Sequence, residues 1–208
     1  MKKNNFKKIM LMPALLSMVM LACKKEKEAL VVDTTTPAYK IAQSEKLAIP
    51  VEVDLPANLP GGNSRVATYY AEGVQKYKAQ IKAGSNPVTY EWIFVAPRAD
   101  LFDVNNTKIG THGAGPHWAI PHMQAGIVDS IFGQAFSPAK TAIPDANSIP
   151  WLQLMSKPGK EPSGVFTNVA YIQRIASTGG KGPVAAPVSL SHTADVPYTA
   201  VYRFTKKN

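Results

Sequence analysis

From residue 74 to the C-terminus, apolar and polar residues repeatedly alternate, and glycine, proline, asparagine or aspartate breaks the runs. In "GVQKYKAQI", Gln75, Tyr77, Ala79 and Ile81 fall on one face and Val74, Lys76, Lys78 and Gln80 on the other. In "VFTNVAYIQRIAS", Val165, Thr167, Val169, Tyr171, Gln173 and Ile175 share a face; in "VPYTAVYRFT", Val196, Tyr198, Ala200, Tyr202 and Phe204 do. A period of two is the signature of a strand with two unlike faces. "TYEWIFVAP" is apolar on both faces, as a central strand is. With 17 prolines and 14 glycines, no stretch sustains a helical period. These runs predict an all-β chain: one β-sandwich or barrel of roughly eight to ten mostly antiparallel strands, with short helices in loops. Such helices are expected in "SRVATYYAEG" or in the Ala- and Pro-rich segment near 133–147. "FDVNNTKIG" reads as a hairpin around Asn105 and Asn106, which tolerate positive φ.

The N-terminus carries different information. Lys2, Lys3, Lys7 and Lys8 precede an apolar run from Ile9 to Ala22 that ends at Cys23, the one cysteine of the chain. The run is too short to span roughly 30 Å of hydrocarbon, and it has the order of a signal peptide. "MLAC" resembles the lipobox of bacterial lipoproteins, with Met20 where leucine is more usual. The resemblance implies that residues 1–22 are removed and that Cys23 carries a lipid anchor. The charged and Thr/Pro-containing stretch after it, residues 23–45, reads as a flexible tether, leaving 46–208 as a single β-rich domain. "KKEKE" behind the cysteine resembles the export signal of surface lipoproteins. The expected location is therefore the outer membrane, lipid-anchored, on the periplasmic or the outer face.

Charge adds an exclusion. The formal charge is +9. Without the four lysines of the signal, 19 basic residues face 14 acidic ones, leaving +5. These charges are scattered, whereas nucleic-acid binding gathers basic residues on one face. No nucleic-acid partner is expected; the expected partners are the membrane, through the lipid, and an envelope ligand or protein. There is no Gly-x-Gly-x-x-Gly turn for a dinucleotide and no Gly-x-Ser-x-Gly nucleophile elbow.

Five stretches in order, "YEWIFVAPRADLFD", "GTHGAGPHW", "IPWLQL", "GVFTNVAYIQRIASTGGKGP" and "VPYTAVYRF", resemble the motifs of the family catalogued as domain of unknown function 3455. The resemblance covers about residues 50–205. Its bacterial and fungal members are commonly secreted, and it implies a fold without an activity. Where the family pattern has His-Tyr-Ala-Gly-Pro-Thr-Trp-Glu, this chain has His112 to Ala119. Two cysteines that the resemblance implies, near Ala79 and near 185–191, are absent, so other packing must hold the last strand.

"THGAGPHWAIPH" holds three of the four histidines at a spacing of five. On a strand that spacing sends His112 and His117 to opposite faces, and on a helix it also separates them. Two glycines and two prolines predict an exposed, irregular loop, no metal site and no cofactor. Asp129, seven residues past His122, offers no obvious third ligand. Only His112 falls on a motif position; the roles of His117 and His122 stay open. The candidate pocket residues are His112, Trp118 and Arg174, the last a charge flanked by isoleucines within "YIQRI". Trp92, Trp118, Trp151 and Tyr171 could line a groove, with core positions the alternative for Trp92 and Trp151. Glu91 reads as solvent-facing on an edge strand. No catalytic residue is assigned. The leading expectation is an envelope binding or structural module; the alternative is an extracytoplasmic hydrolase with His112 as acid/base in a pocket with Trp118.

Overall fold

A computed structural model describes residues 32–124 and 126–208. The signal peptide, Cys23 and the first part of the tether lie outside the described residues. Eight strands follow in chain order: β1 (Asn63–Ile81), β2 (Tyr90–Phe102), β3 (Lys108–Gly113), β4 (His117–Pro121), β5 (Val128–Ala142), β6 (Trp151–Ser156), β7 (Val169–Gly179) and β8 (Thr193–Lys207). Each pairs antiparallel with the next, and β8 returns to β1 from Asn63↔Lys207 to Lys78↔Thr193, closing an up-and-down barrel. Of the two predicted β architectures the chain adopts the barrel, at the low end of the expected strand number.

Alternation decides what fills it. Tyr198, Ala200, Tyr202 and Phe204 of β8 all point inward and are at most 2% exposed. They pack with Ala71, Ala99, Leu101, Trp118, Ile131, Leu154 and Ile172 from the other strands. Phe166, in a one-turn 3-10 segment between β6 and β7, plugs one end of the barrel against Tyr69 and Phe204. At Gly73 of β1 a Cβ would lie 2.1 Å from the Arg98 carbonyl oxygen, so β2 can approach this closely only because the residue is glycine.

The segment read as the last part of the tether is folded. Thr36 caps a helix, α1 (Pro37–Ser44), accepting a hydrogen bond from the Tyr39 amide at 3.3 Å. Ile41 of α1 and Val53 are buried against the outer face of the barrel, on Tyr70, Trp151, Ile175 and Val201. Arg203 of β8 donates to the Ser44 carbonyl at 2.8 Å and pairs with Glu45 at 3.0 Å; Gln173 donates to the Val53 carbonyl at 2.7 Å. The domain thus extends back at least to α1 and cannot start at residue 46. The arm meets the barrel at the end bearing the β2–β3 turn, where the Ala38 amide donates to Asn106 Oδ1.

Other expectations are corrected too. "SRVATYYAEG" is not helical but lies within β1, and residues 133–142 belong to β5. A closed barrel leaves Glu91 no edge strand, and Gln80 donates to it at 2.8 Å from the paired strand. The β2–β3 hairpin turns as predicted, with Asn106 at φ 63°. The connection before β8, near which the missing cysteines were expected, is tied down by hydrogen bonds: Ala79 amide to His192 carbonyl, and Trp92 Nε1 to Ala185 carbonyl. Glu72, Lys76, Arg98 and Asp100 stand on the strands with Lys76–Asp195 and Lys108–Asp100 ion pairs around them. Such an exterior is unlike the apolar band of a membrane-spanning barrel.

Candidate functional site

The end of the barrel opposite Phe166 holds a cavity of about 230 Å³. The histidine-rich stretch builds one side of it. Residues 111–122 are not the expected irregular loop but mostly a hairpin, β3 and β4, with His112 opposite Trp118 and only Ala114–Pro116 turning between them. The glycine and proline supply the turn, and alternation in the two strands sends both rings inward. His112 is 3% exposed and Trp118 fully buried.

The hairpin fixes the imidazole. His112 Nδ1 lies 3.0 Å from the His117 carbonyl oxygen. A carbonyl only accepts, so Nδ1 carries the proton and Nε2 keeps its lone pair. The ring stacks on Trp118 at 4.5 Å and 13° and lies 4.9 Å from Tyr202. Burial pushes its pKa down from 6.5 to about 3; the hydrogen bond to His117 opposes this, and the Arg174 charge reinforces it. The histidine is neutral at any physiological pH.

Arg174, from β7, is paired in register with Leu152 of β6 and Tyr202 of β8, and all three line the cavity. Its Nε and Nη2 both donate to the Pro150 carbonyl, at 3.1 and 2.8 Å. Among the described residues it has no ion pair, and Nη1 has no hydrogen bond. Burial raises the pKa of both Tyr198 and Tyr202; the Arg174 charge opposes this at both, and its guanidinium also lies close enough to Tyr202 to oppose it by hydrogen bonding. The two hydroxyls lie near enough to influence each other's ionisation, yet neither makes a hydrogen bond of acceptable geometry. Gln75 Nε2 and Trp118 Nε1 are also buried without a partner. Apolar walls complete the site: Phe94 and Val95, each 52% exposed at the mouth, then Pro97, Leu152 and Leu154.

The three candidate pocket residues therefore line one cavity, and sequence reading missed Gln75, Tyr202, Phe94 and Val95 around them. The signal for Tyr202 was present as the inward face of β8, and that for Gln75 as an amide on an otherwise apolar face. The proposed aromatic groove does not assemble. Trp151 and Tyr171 lie on the outer layer, and Trp92 of β2 turns to the connection before β8, donating to the Ala185 carbonyl, which leaves Trp118 alone of the four at the cavity.

The other histidines go elsewhere. His117 stacks on Phe132 at 4.2 Å, and it is partial burial that lowers its pKa. His122 lies toward the plugged end, where its Nε2 is 2.7 Å from Asp129 Oδ1. Antiparallel pairing of β4 with β5 brings that acid back, which seven residues of sequence separation concealed. Asp129 also accepts from the Val165 amide at 2.9 Å; both interactions hold its pKa below 3.8 against the effect of desolvation. Among the described residues no three histidine, cysteine or acidic side chains gather in a metal-binding group.

No curated protein and no solved structure matches the chain. Residues 60–206 do match the sequence profile of one family, a span running from just before β1 to the end of β8 and containing every wall of the cavity. The chain belongs to the family described as protein of unknown function, DUF3455.

Proposed function

We propose that this protein is a small-ligand-binding barrel held at the cell envelope by a lipid on Cys23. The observation that carries the binding reading is the cavity beside Arg174: mostly apolar in its lining, with Gln75 Nε2, Trp118 Nε1 and the Tyr202 hydroxyl finding no partner among the described residues. Buried donors without partners each cost about 1–3 kcal/mol, a cost that a ligand or water accepting from them removes. A concave apolar site with a few convergent polar groups is the usual form of a small-molecule site. The hydrolase alternative draws little support. Among the described residues no carboxylate, cysteine or aliphatic hydroxyl lines the cavity, and a histidine that protonates only near pH 3 is a weak general base at neutral pH.

Two experiments test the two halves. Titrating the soluble domain with fragment-sized compounds should move the indole NH resonance of Trp118 and leave those of Trp92 and Trp151 in place. Leu152→Trp, which fills the cavity, should abolish that response while the domain still melts cooperatively. A response that survives the filled cavity places the binding elsewhere. For the anchor, Cys23→Ser should release the domain into the soluble fraction or leave the precursor unprocessed. Normal processing with retention on the membrane sinks that half.

A further inference from the structure

We infer that the ligand of this cavity is a small organic carboxylate with a flat apolar body, its carboxylate held by Arg174 and its body lodged between the β2 and β3–β4 walls. The inference rests on the binding reading above and adds the chemical class. Three observations lead to it.

The first is charge. Among the described residues Arg174 is the one charged side chain that lines the cavity, and no acid lines it. His112 is neutral and cannot add a second positive charge. A half-buried cation without a counter-charge is costly, and an anionic ligand supplies what the protein omits. One guanidinium matches a monoanion. A phosphate would want further positive charge or a nest of backbone amides, and the cavity lining includes no lysine.

The second is geometry. Nε and one Nη2 proton of Arg174 are committed to the Pro150 carbonyl, which fixes the plane of the guanidinium. Nη1 remains without a partner among the described residues, and Gln75 Nε2 and the Tyr202 hydroxyl, likewise without a well-formed bond there, belong to the same cavity lining. A guanidinium edge and an amide NH₂ facing one cavity form a donor set for a planar, two-oxygen acceptor. A neutral amide in the same place would turn its own NH₂ toward these donors.

The third is size and wall chemistry. A dry cavity of roughly 150 Å³ takes up benzene, so about 230 Å³ admits one ring with one substituent and excludes a long acyl chain. Phe94 and Val95 stay half exposed at the mouth, whereas Trp118 and Leu154 deeper in the same cavity are buried. A flat apolar body covers them.

The test uses benzoate, cyclohexanecarboxylate and benzamide on the wild-type domain, read by the Trp118 indole resonance and by calorimetry. Benzoate is expected to bind about tenfold or more tightly than benzamide, since the amide forfeits the ion pair. Arg174→Met should bring the two within about threefold of each other. Because Arg174 also holds the Pro150 carbonyl, Gln75→Leu serves as a second variant that leaves that contact intact, and it should weaken benzoate more than benzamide. Raising the salt concentration should weaken benzoate only modestly, because a sheltered pair is poorly screened. Benzamide binding as tightly as benzoate overturns the carboxylate assignment and leaves the binding barrel standing. Cyclohexanecarboxylate far tighter than benzoate overturns the flat body alone. If none of the three moves the Trp118 resonance, the inference is overturned; if a wider panel of fragments also leaves it unmoved, the binding reading fails as well.

Discussion

Trp118→Ala is expected to lower the unfolding free energy by about 3–5 kcal/mol, a large share of the 5–15 kcal/mol typical of a domain. Three rings surround the indole: His112 stacked at 4.5 Å, Tyr202 edge-on at 5.2 Å and Phe204 edge-on at 5.6 Å. On its fourth side the chain has made room. A Cβ at Gly133 would stand 3.1 Å from Trp118 Cζ3 and 2.9 Å from Leu154 Cδ1, so β5 is glycine there because the indole occupies the space. A cavity left by alanine cannot close by collapse of the barrel wall, whose strands are hydrogen-bonded on both sides. Partial collapse is what keeps such losses small elsewhere. Trp118→Phe, which keeps a ring on His112, should lose only about 1–2 kcal/mol. Urea unfolding of the three proteins measures both differences. A loss under 1 kcal/mol for the alanine variant would mean that the indole is not the centre of the core.

Much of this interior could be read from the chain, and the reasons for the exceptions are physical. Period two reports which residues share a face, so the inward set of β8, from Tyr198 to Phe204, was legible residue by residue. It does not report whether the last strand returns to the first, so sandwich and barrel stayed open until the β1–β8 register was seen. In β1, "SRVATYYAEG" has enough Ala and Tyr to suit a helix. Pairing with β2 on one side and β8 on the other outweighs a propensity worth a few tenths of a kcal/mol per residue. In "THGAGPHWAIPH" the glycines and prolines drew the eye to the backbone, but only Ala114–Pro116 make the turn. Trp118, Ile120 and their neighbours alternate as any strand does. The helix α1 was missed although its start was written in the chain: Thr36 before Pro37 is a cap followed by proline at the first helical position. As for the site, Arg174 stood out as a charge between isoleucines, whereas Tyr202 became a site residue only when β8 paired with β7, and Gln75 only when closure set β1 beside β8.

Acidification from pH 6.5 towards 4 is expected to destabilise the domain through His112, by an amount on the order of 3–5 kcal/mol when complete. In the unfolded chain this ring takes up a proton below its ordinary pKa of 6.5; in the folded one it stays neutral down to about 3. Between those values the unfolded state holds the extra proton, so stability falls as pH falls, and it is fully present only above 6.5. The carboxylates whose pKa the fold lowers, Asp33, Asp103, Asp129 and Asp145, destabilise in the same direction, but only once the pH drops towards 3.8 and below. His117, also lowered, acts within the same window as His112, and His117→Gln separates the two. Urea unfolding at several pH values between 7.5 and 4.5 should give a slope near 1.4 kcal/mol per pH unit from His112 alone. The slope should survive in His117→Gln and be lost in His112→Phe, whatever that substitution does to stability at pH 7.5. The Cε1 proton of His112 should show no titration above pH 4.5. A His112 that titrates near 6.5, or a pH slope unchanged in His112→Phe, would mean that the imidazole reaches water. It would then be free to act as a base in the cavity, and the hydrolase reading that its burial argues against would have to be taken up again.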